Sequence, residues 1–216
     1  MIRRRTSLTI KGKDLMMHNR RLRNNSDPLT RKMRLITLEL MGTSDPDERV
    51  RLIQKLADLE WEAGMYYDDK VGPYLPAEML HAALRSGFES AHPGRRLPSS
   101  IRIIDNAPLK YTGPRKLEEL RGNPDFIDQR EVKVPRQKRR VLRTRPIFKD
   151  WEAVVPLEYS PKQLRTYRTD FAPSTSVKPL DTKAWDRQHL AHCIGKCGAL
   201  GSGRHYGFGV FFAYPY

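Results

Sequence analysis

The sequence has little cysteine, little acid and no long apolar run. Two cysteines in 216 residues cannot build a disulfide framework and suit a reducing compartment, so a cytoplasmic location is expected. No stretch of about 18 consecutive apolar residues exists, which argues against a membrane-spanning helix and predicts no membrane partner. The opening Met-Ile-Arg-Arg-Arg lacks the apolar region of a secretory signal, so export is not expected. Hydrophobic residues make up only 38% of the chain. Three Trp, nine Tyr and seven Phe are nevertheless spread along it, and they predict a globular core with solvated excursions.

Acid is scarce relative to base: 25 Asp/Glu face 40 Lys/Arg, for a net charge of +15. The excess is concentrated in two places. Residues 1–40 hold eleven Lys/Arg against Asp14, Asp27 and Glu39, and residues 130–149 hold nine against Glu131 alone. Arginine outnumbers lysine in both blocks, which favours phosphate contact and base stacking over simple solubility. Two dense basic blocks on an otherwise balanced body are the footprint of a polyanion-binding face.

Residues 7–10 read as a short strand, followed by a polar, Arg/Asn-rich loop up to Pro28. Val50, Ile53, Leu56, Leu59 and Trp61 recur at near-helical spacing, and Asp45-Pro46 supplies a cap and first turn. Residues 74–86 give the clearest helix. Pro76 sits in its first turn, Met79, Leu80, Ala83 and Leu84 form its buried face, and Gly87 is the expected stop. A strand follows at 101–104, then a loop-rich stretch to residue 130. Residues 131–134 and 141–144 alternate around Pro135-Arg-Gln-Lys-Arg-Arg140 and predict a β-hairpin with a cationic turn. A strand at 151–159, a short helix from 161, a Pro/Ser/Thr connector over 170–180, a helix at 182–193 and a strand at 210–212 complete the chain. Helices and strands without strict βαβ alternation predict an α+β fold. A ferredoxin-like β-α-β-β-α-β core with loop insertions fits this order as a single domain over residues 1–216.

Six of the fourteen glycines fall within residues 195–211. Glycine lets a backbone take positive φ and approach a phosphate closely. The spacing Gly201-x-Gly203-x-x-x-Gly207-x-Gly209 follows a helix and precedes a strand, the reverse of a dinucleotide-binding fingerprint. This loop, Leu200-Gly-Ser-Gly-Arg-His-Tyr-Gly-Phe-Gly209, resembles the C-terminal glycine-rich signature of the RAMP superfamily of CRISPR-associated RNA-binding proteins. A second segment, Gly72-Pro-Tyr-Leu-Pro-Ala-Glu-Met-Leu-His-Ala-Ala-Leu-Arg85, resembles the proline-led helix start of that family's effector backbone subunits, with Ala77 and Glu78 in place of the usual glycine and serines. The resemblance implies a ferredoxin-like (RRM-like) core that binds single-stranded guide RNA along a basic face. It also implies a protruding, thumb-like basic β-hairpin within residues 105–150 and head-to-tail assembly of copies into a filament, with other effector subunits as further partners. The short chain is closer to a solitary member, such as those encoded by mobile elements.

Candidate RNA-binding residues follow from the basic blocks and the loop. They are His18, Asn19, Arg20, Arg21 and Arg23 after the first strand, Arg136, Lys138, Arg139, Arg140, Arg143 and Arg145 in the hairpin, and Gly201, Gly203, Arg204 and His205 in the glycine loop. Tyr206 and Phe208 are available for base stacking. The main expectation is a non-catalytic RNA-coating subunit with no cofactor and no metal. One alternative is a metal-independent endoribonuclease of the same superfamily. Relatives that cut RNA with an aspartate in the first loop point to Asp27, although Asp27-Pro28 is equally a turn initiator. Relatives that use a general acid/base histidine point to His18. Another alternative is a basic structural nucleic-acid-binding protein whose glycine loop is only a turn. His189, His192, Cys193 and Cys197 crowd into nine residues, but zinc sites usually draw on two separate elements, and a helix with buried cysteines is the expectation.

Overall fold

Leucine and isoleucine at alternate positions carry the first strand, and the polar residues after them keep the same alternation. In the computed structural model, which describes residues 2–17, 27–133, 140–170, 182–201 and 209–215, this strand runs well past the four residues expected. The elements are β1 (Arg4–Met16), α1 (Pro28–Gly42), α2 (Pro46–Gly64), β2 (Tyr67–Asp68), β3 (Gly72–Leu75), α3 (Ala77–Ala91), β4 (Arg102–Ile103) and β5 (Ala107–Lys110). They continue with α4 (Leu117–Arg121), β6 (Ile127–Lys133), β7 (Arg140–Tyr159), α5 (Pro161–Leu164), α6 (Thr182–Gly195) and β8 (Phe211–Pro215). The fold is mixed α+β with an antiparallel sheet. The chain divides into two compact units, one from Met1–Leu15, Pro73–Thr112 and Lys149–Tyr216, the other from Met16–Gly72 and Gly113–Phe148.

In the first unit the strands lie in the order β3-β5-β7-β1-β8, and β4 pairs with β7. Leu109 faces Ala153 across β5 and β7, and Ile10 faces Ala213 across β1 and β8. Period-2 alternation gives the sheet one apolar face: Leu8, Ile10, Leu109, Trp151, Ala153, Val155, Leu157 and Phe211 are all buried. Helices α3 and α6 pack on each other, and α6 packs on β8. Their buried residues are Leu80, Leu84 and Phe88 from α3, and Trp185, Leu190 and Ile194 from α6.

Helix α3 does not stop at Gly87 as the sequence suggests but continues to Ala91. Gly87 is buried mid-helix, and a Cβ there would run into the carbonyl of Cys193 and sit 2.9 Å from the amide of Cys197. The glycine therefore serves the close crossing of α3 and α6, not a helix end.

The second unit contains a helix, α1, for which the sequence reading carries no expectation. Asp27 caps it, accepting a hydrogen bond from the Thr30 amide at 2.9 Å, and Pro28 occupies its first turn. Only Ile36 of α1 is buried, so no clean apolar stripe marks it in the sequence. Helix α2 packs against α1 and buries Leu52, Ala57 and Trp61. Val50 and Ile53, part of the apparent apolar period, are exposed. The Trp61 indole N–H donates to the Phe126 carbonyl at 2.9 Å, and Phe126 packs on Phe148. Strand β6 pairs antiparallel with the first part of β7, from Ile127↔Pro146 to Lys133↔Arg140. The strands expected at 141–144 and 151–159 are one strand, with Asp150 at φ 45° within it. Asparagine and aspartate tolerate that conformation better than most residues.

Candidate nucleic-acid interface

The basic residues of the first block are sorted by strand alternation. Arg4 points to the buried side, where its guanidinium lies 3.8 Å from the fully buried Asp186 of α6. Asp186 also accepts the Tyr159 hydroxyl at 3.2 Å and lies 3.5 Å from Arg165. Burial, reinforced by the Asp186 charge, pushes the Tyr159 hydroxyl up to about 12. Arg4 thus belongs to the structure of the unit.

The neighbours of Arg4 have the opposite role. Arg3 and Arg5 project to the other face of the sheet, which the apolar set leaves open. There Arg3 and Arg102 each lie 2.9 Å from Glu158, and Arg5 lies 3.7 Å away. Farther along, Lys11 (2.7 Å) and Lys110 (3.3 Å) flank Glu152 from the strands on either side of β7. Lys13 is exposed two residues beyond Lys11. Among the described residues the face therefore presents six cations around two carboxylates.

Beside these cations stand two exposed aromatic rings of the last strand. Phe212 pairs directly with Lys11, and Tyr214 with Thr9, so both share the open face. They are 66% and 49% exposed. An exposed phenylalanine and tyrosine amid lysine and arginine on an open sheet face can stack bases while the cations meet phosphates. Sequence reasoning placed stacking at Tyr206 and Phe208 and missed this pair. The available signal was the alternation of Phe212 and Tyr214 with buried Phe211, set against Lys11 and Lys13 on β1.

The carboxylates of this face carry a pH signature. The hydrogen-bonded Lys11 ammonium, with Lys110, holds the Glu152 carboxyl below its ordinary value of 4.5, and Arg3 with Arg102 does the same for Glu158. A depressed folded value means that the ion pairs contribute fully above about 4.5 and lose that contribution as pH falls through the lower folded value. The melting temperature is accordingly expected to drop more steeply between pH 5 and 3 in the native chain than in the Glu152→Gln, Glu158→Gln variant. Parallel curves would show that the pairs do not contribute.

In the second unit, the described hairpin candidates fall on two faces of the β6–β7 ribbon. Arg143 and Arg145 share one face with Arg130 and Asp128, whereas Arg140 lies on the other with Glu131. Arg143 pairs with Glu60, whose second oxygen accepts the Thr144 amide at 3.1 Å. Burial and the neighbouring Arg143 cation push the Arg145 guanidinium down from its ordinary value. Arg140 is largely exposed, 3.6 Å from Glu131. Among the described hairpin candidates Arg140 is thus the one best placed for a ligand, while Arg143 and Arg145 are tied into the unit. Arg136, Lys138 and Arg139 lie outside the described residues, as do His18, Asn19, Arg20, Arg21 and Arg23.

The glycine loop lies between α6 and β8, as its sequence order predicts. Gly203, Arg204, His205, Tyr206 and Phe208 lie outside the described residues, but both shoulders are described. Ala199 bridges Val210, and the Leu200 amide donates to the Gly209 carbonyl at 2.9 Å. Gly201 and Gly209 have φ of 72° and 73°, and a Cβ on Gly209 would strike the Leu200 carbonyl. The loop is therefore closed at its base by backbone that only glycine adopts without strain. The other segment of the resemblance, the start of α3, is capped internally: the Ala77 amide donates to Asn106 Oδ1 at 2.9 Å.

Asp27, the candidate nuclease carboxylate, is the cap of α1. Asp27→Ala is expected to cost about 1 kcal/mol of stability, the usual worth of an N-cap. Thermal unfolding and an RNA-cleavage assay on the same variant distinguish this structural role from a catalytic one, because only a catalytic role predicts loss of strand scission.

No family model matches this chain, and neither does any curated protein.

Proposed function

We propose that this protein binds single-stranded RNA as a non-catalytic, backbone-type subunit and assembles head-to-tail along it in a CRISPR-like ribonucleoprotein. The first unit is read as a ferredoxin-like core. With β3, β4 and α5 taken as additions, its succession β1-α3-β5-β7-α6-β8 is β-α-β-β-α-β, and the strand order β5-β7-β1-β8 is the one that such a core requires. The observation that carries the functional reading is the open sheet face, where Phe212 and Tyr214 stand among Arg3, Arg5, Lys11, Lys13, Arg102 and Lys110. Stacking on aromatic rings needs unpaired bases, so this face favours single strands over duplex. The cationic ribbon around Arg140 and the glycine loop supply further phosphate contacts under the same reading.

The test is fluorescence anisotropy of the whole chain with a labelled single-stranded RNA, a duplex DNA and a range of salt concentrations. Tight binding to the single strand, a steep fall with salt and uncut RNA are the expected results. Equal affinity for duplex DNA would make the chain a general basic nucleic-acid binder. Scission that Asp27→Ala or His18→Ala abolishes would make it an endoribonuclease. Light scattering with RNAs of increasing length tests assembly, and a mass that stays at one chain per RNA overturns the filament.

A further inference from the structure

The tail of α3 and the middle of α6 bring three potential metal ligands to one buried point. His92 follows the last residue of α3, and His189 and Cys193 lie one turn apart on α6. His92 is 2% exposed, and the other two are fully buried. His92 Nε2 lies 2.8 Å from His189 Nε2 and 3.8 Å from Cys193 Sγ. One ligating atom from each residue falls within 4.8 Å of the others. Phe88, Tyr167 and Trp185 wall the group, with ring centroids 4.6 to 5.1 Å from the imidazoles.

We infer that His92, His189 and Cys193 form a buried binding site for one zinc-class transition-metal ion. A tetrahedral zinc with bonds of roughly 2.0–2.1 Å to nitrogen and 2.3 Å to sulfur places its ligand atoms about 3.3 Å (N to N) and 3.6 Å (N to S) apart. The observed 2.8 Å is about half an ångström shorter than the first separation, and the observed 3.8 Å is about 0.2 Å longer than the second. The remaining pair lies within 4.8 Å, so modest side-chain rotation brings the three atoms onto one ion. Without an ion, the two facing nitrogens can share only one proton, and the thiol is left with a long contact to His92. An ion satisfies all three atoms at once, and two imidazoles with a thiolate are donors that zinc accepts. The ligands come from two segments of the chain, with His92 and His189 97 residues apart, as zinc ligands commonly do. Three protein ligands leave the fourth tetrahedral position to one water, as in other three-ligand zinc sites. Cys197 and His192, which the sequence pattern groups with His189 and Cys193, are not members: Cys197 Sγ instead contacts the Ala199 carbonyl at 3.5 Å.

The experiment uses the full chain without an affinity tag, refolded with zinc chloride alone and desalted, with metal counted by elemental analysis. About one zinc per chain is expected, retained in Cys197→Ser and lost in Cys193→Ser and in His189→Asn. Because a core variant can fail to fold, the unaltered chain is also refolded with Co2+. A thiolate-to-cobalt charge-transfer absorption with tetrahedral ligand-field bands is then expected, and both should disappear on adding excess zinc. A folded chain that retains no zinc overturns the site. So does cobalt bound without the thiolate band, or zinc kept in folded Cys193→Ser.

Discussion

Replacing Gly87 by alanine is expected to destabilise the protein by about 2 kcal/mol, although alanine is the better helix former. Two opposing terms set the sign. Gly→Ala in a helix interior gains about 1 kcal/mol from propensity and reduced chain entropy. Against this, the new methyl meets the Cys193 carbonyl and the Cys197 amide, both backbone atoms that no rotamer change can move aside. Forcing extra volume into a packed site costs about 1–3 kcal/mol or more, and the rigid neighbours put this site at the upper end. The loss corresponds to a melting temperature lower by about 4–8 °C in a chain of this size. Gly42→Ala is the internal control. It ends α1 with nothing within 4 Å of the added atom, so a gain of a few tenths of a kcal/mol is expected. Urea unfolding followed by tryptophan fluorescence compares the two, and a stabilised Gly87→Ala would refute the close crossing of α3 and α6.

The second large effect concerns binding and separates the two kinds of contact on the open face. Phe212→Ala and Tyr214→Ala should each weaken single-stranded RNA binding by roughly 5- to 150-fold, the worth of about 1–3 kcal/mol per stacked base. Neither ring carries charge, so the slope of log affinity against log salt should stay unchanged. Lys13→Ala should instead weaken binding modestly at low salt and flatten that slope by about 0.7, the value of one phosphate contact on a single strand. Both aromatics are largely exposed, so these variants should fold normally. Anisotropy titrations at four or five salt concentrations measure both quantities. If the aromatic variants bind as well as the native chain, the open face is not the RNA platform and binding rests on the ribbon and the glycine loop.

Much of the secondary structure was legible because local signals sufficed. Asp45-Pro46 opens α2, Pro76 precedes α3, and alternation marks β6 and the start of β7. Helix α1 was not legible, because it buries a single residue and its leucines point in several directions. Gly87 was misread for a different reason: glycine is the common helix stop, and only the partner helix shows that this one is a crossing point. The candidate site was legible as charge and as a glycine loop. The sorting of that charge was not. Arg4 and Arg5 are neighbours in sequence, yet one serves a buried carboxylate and the other the open face.

By itself the sequence determined the basic character of the protein, its mixed α+β elements and the position of its glycine loop between a helix and a final strand. These depend on composition and on contacts a few residues apart. Only the tertiary structure decided which cations are available to a ligand, that Phe212 stands beside Lys11, and that His92 meets His189 and Cys193. Those pairings join residues about a hundred or more positions apart. Strand register and helix crossing set them, and neither leaves a local trace in the chain.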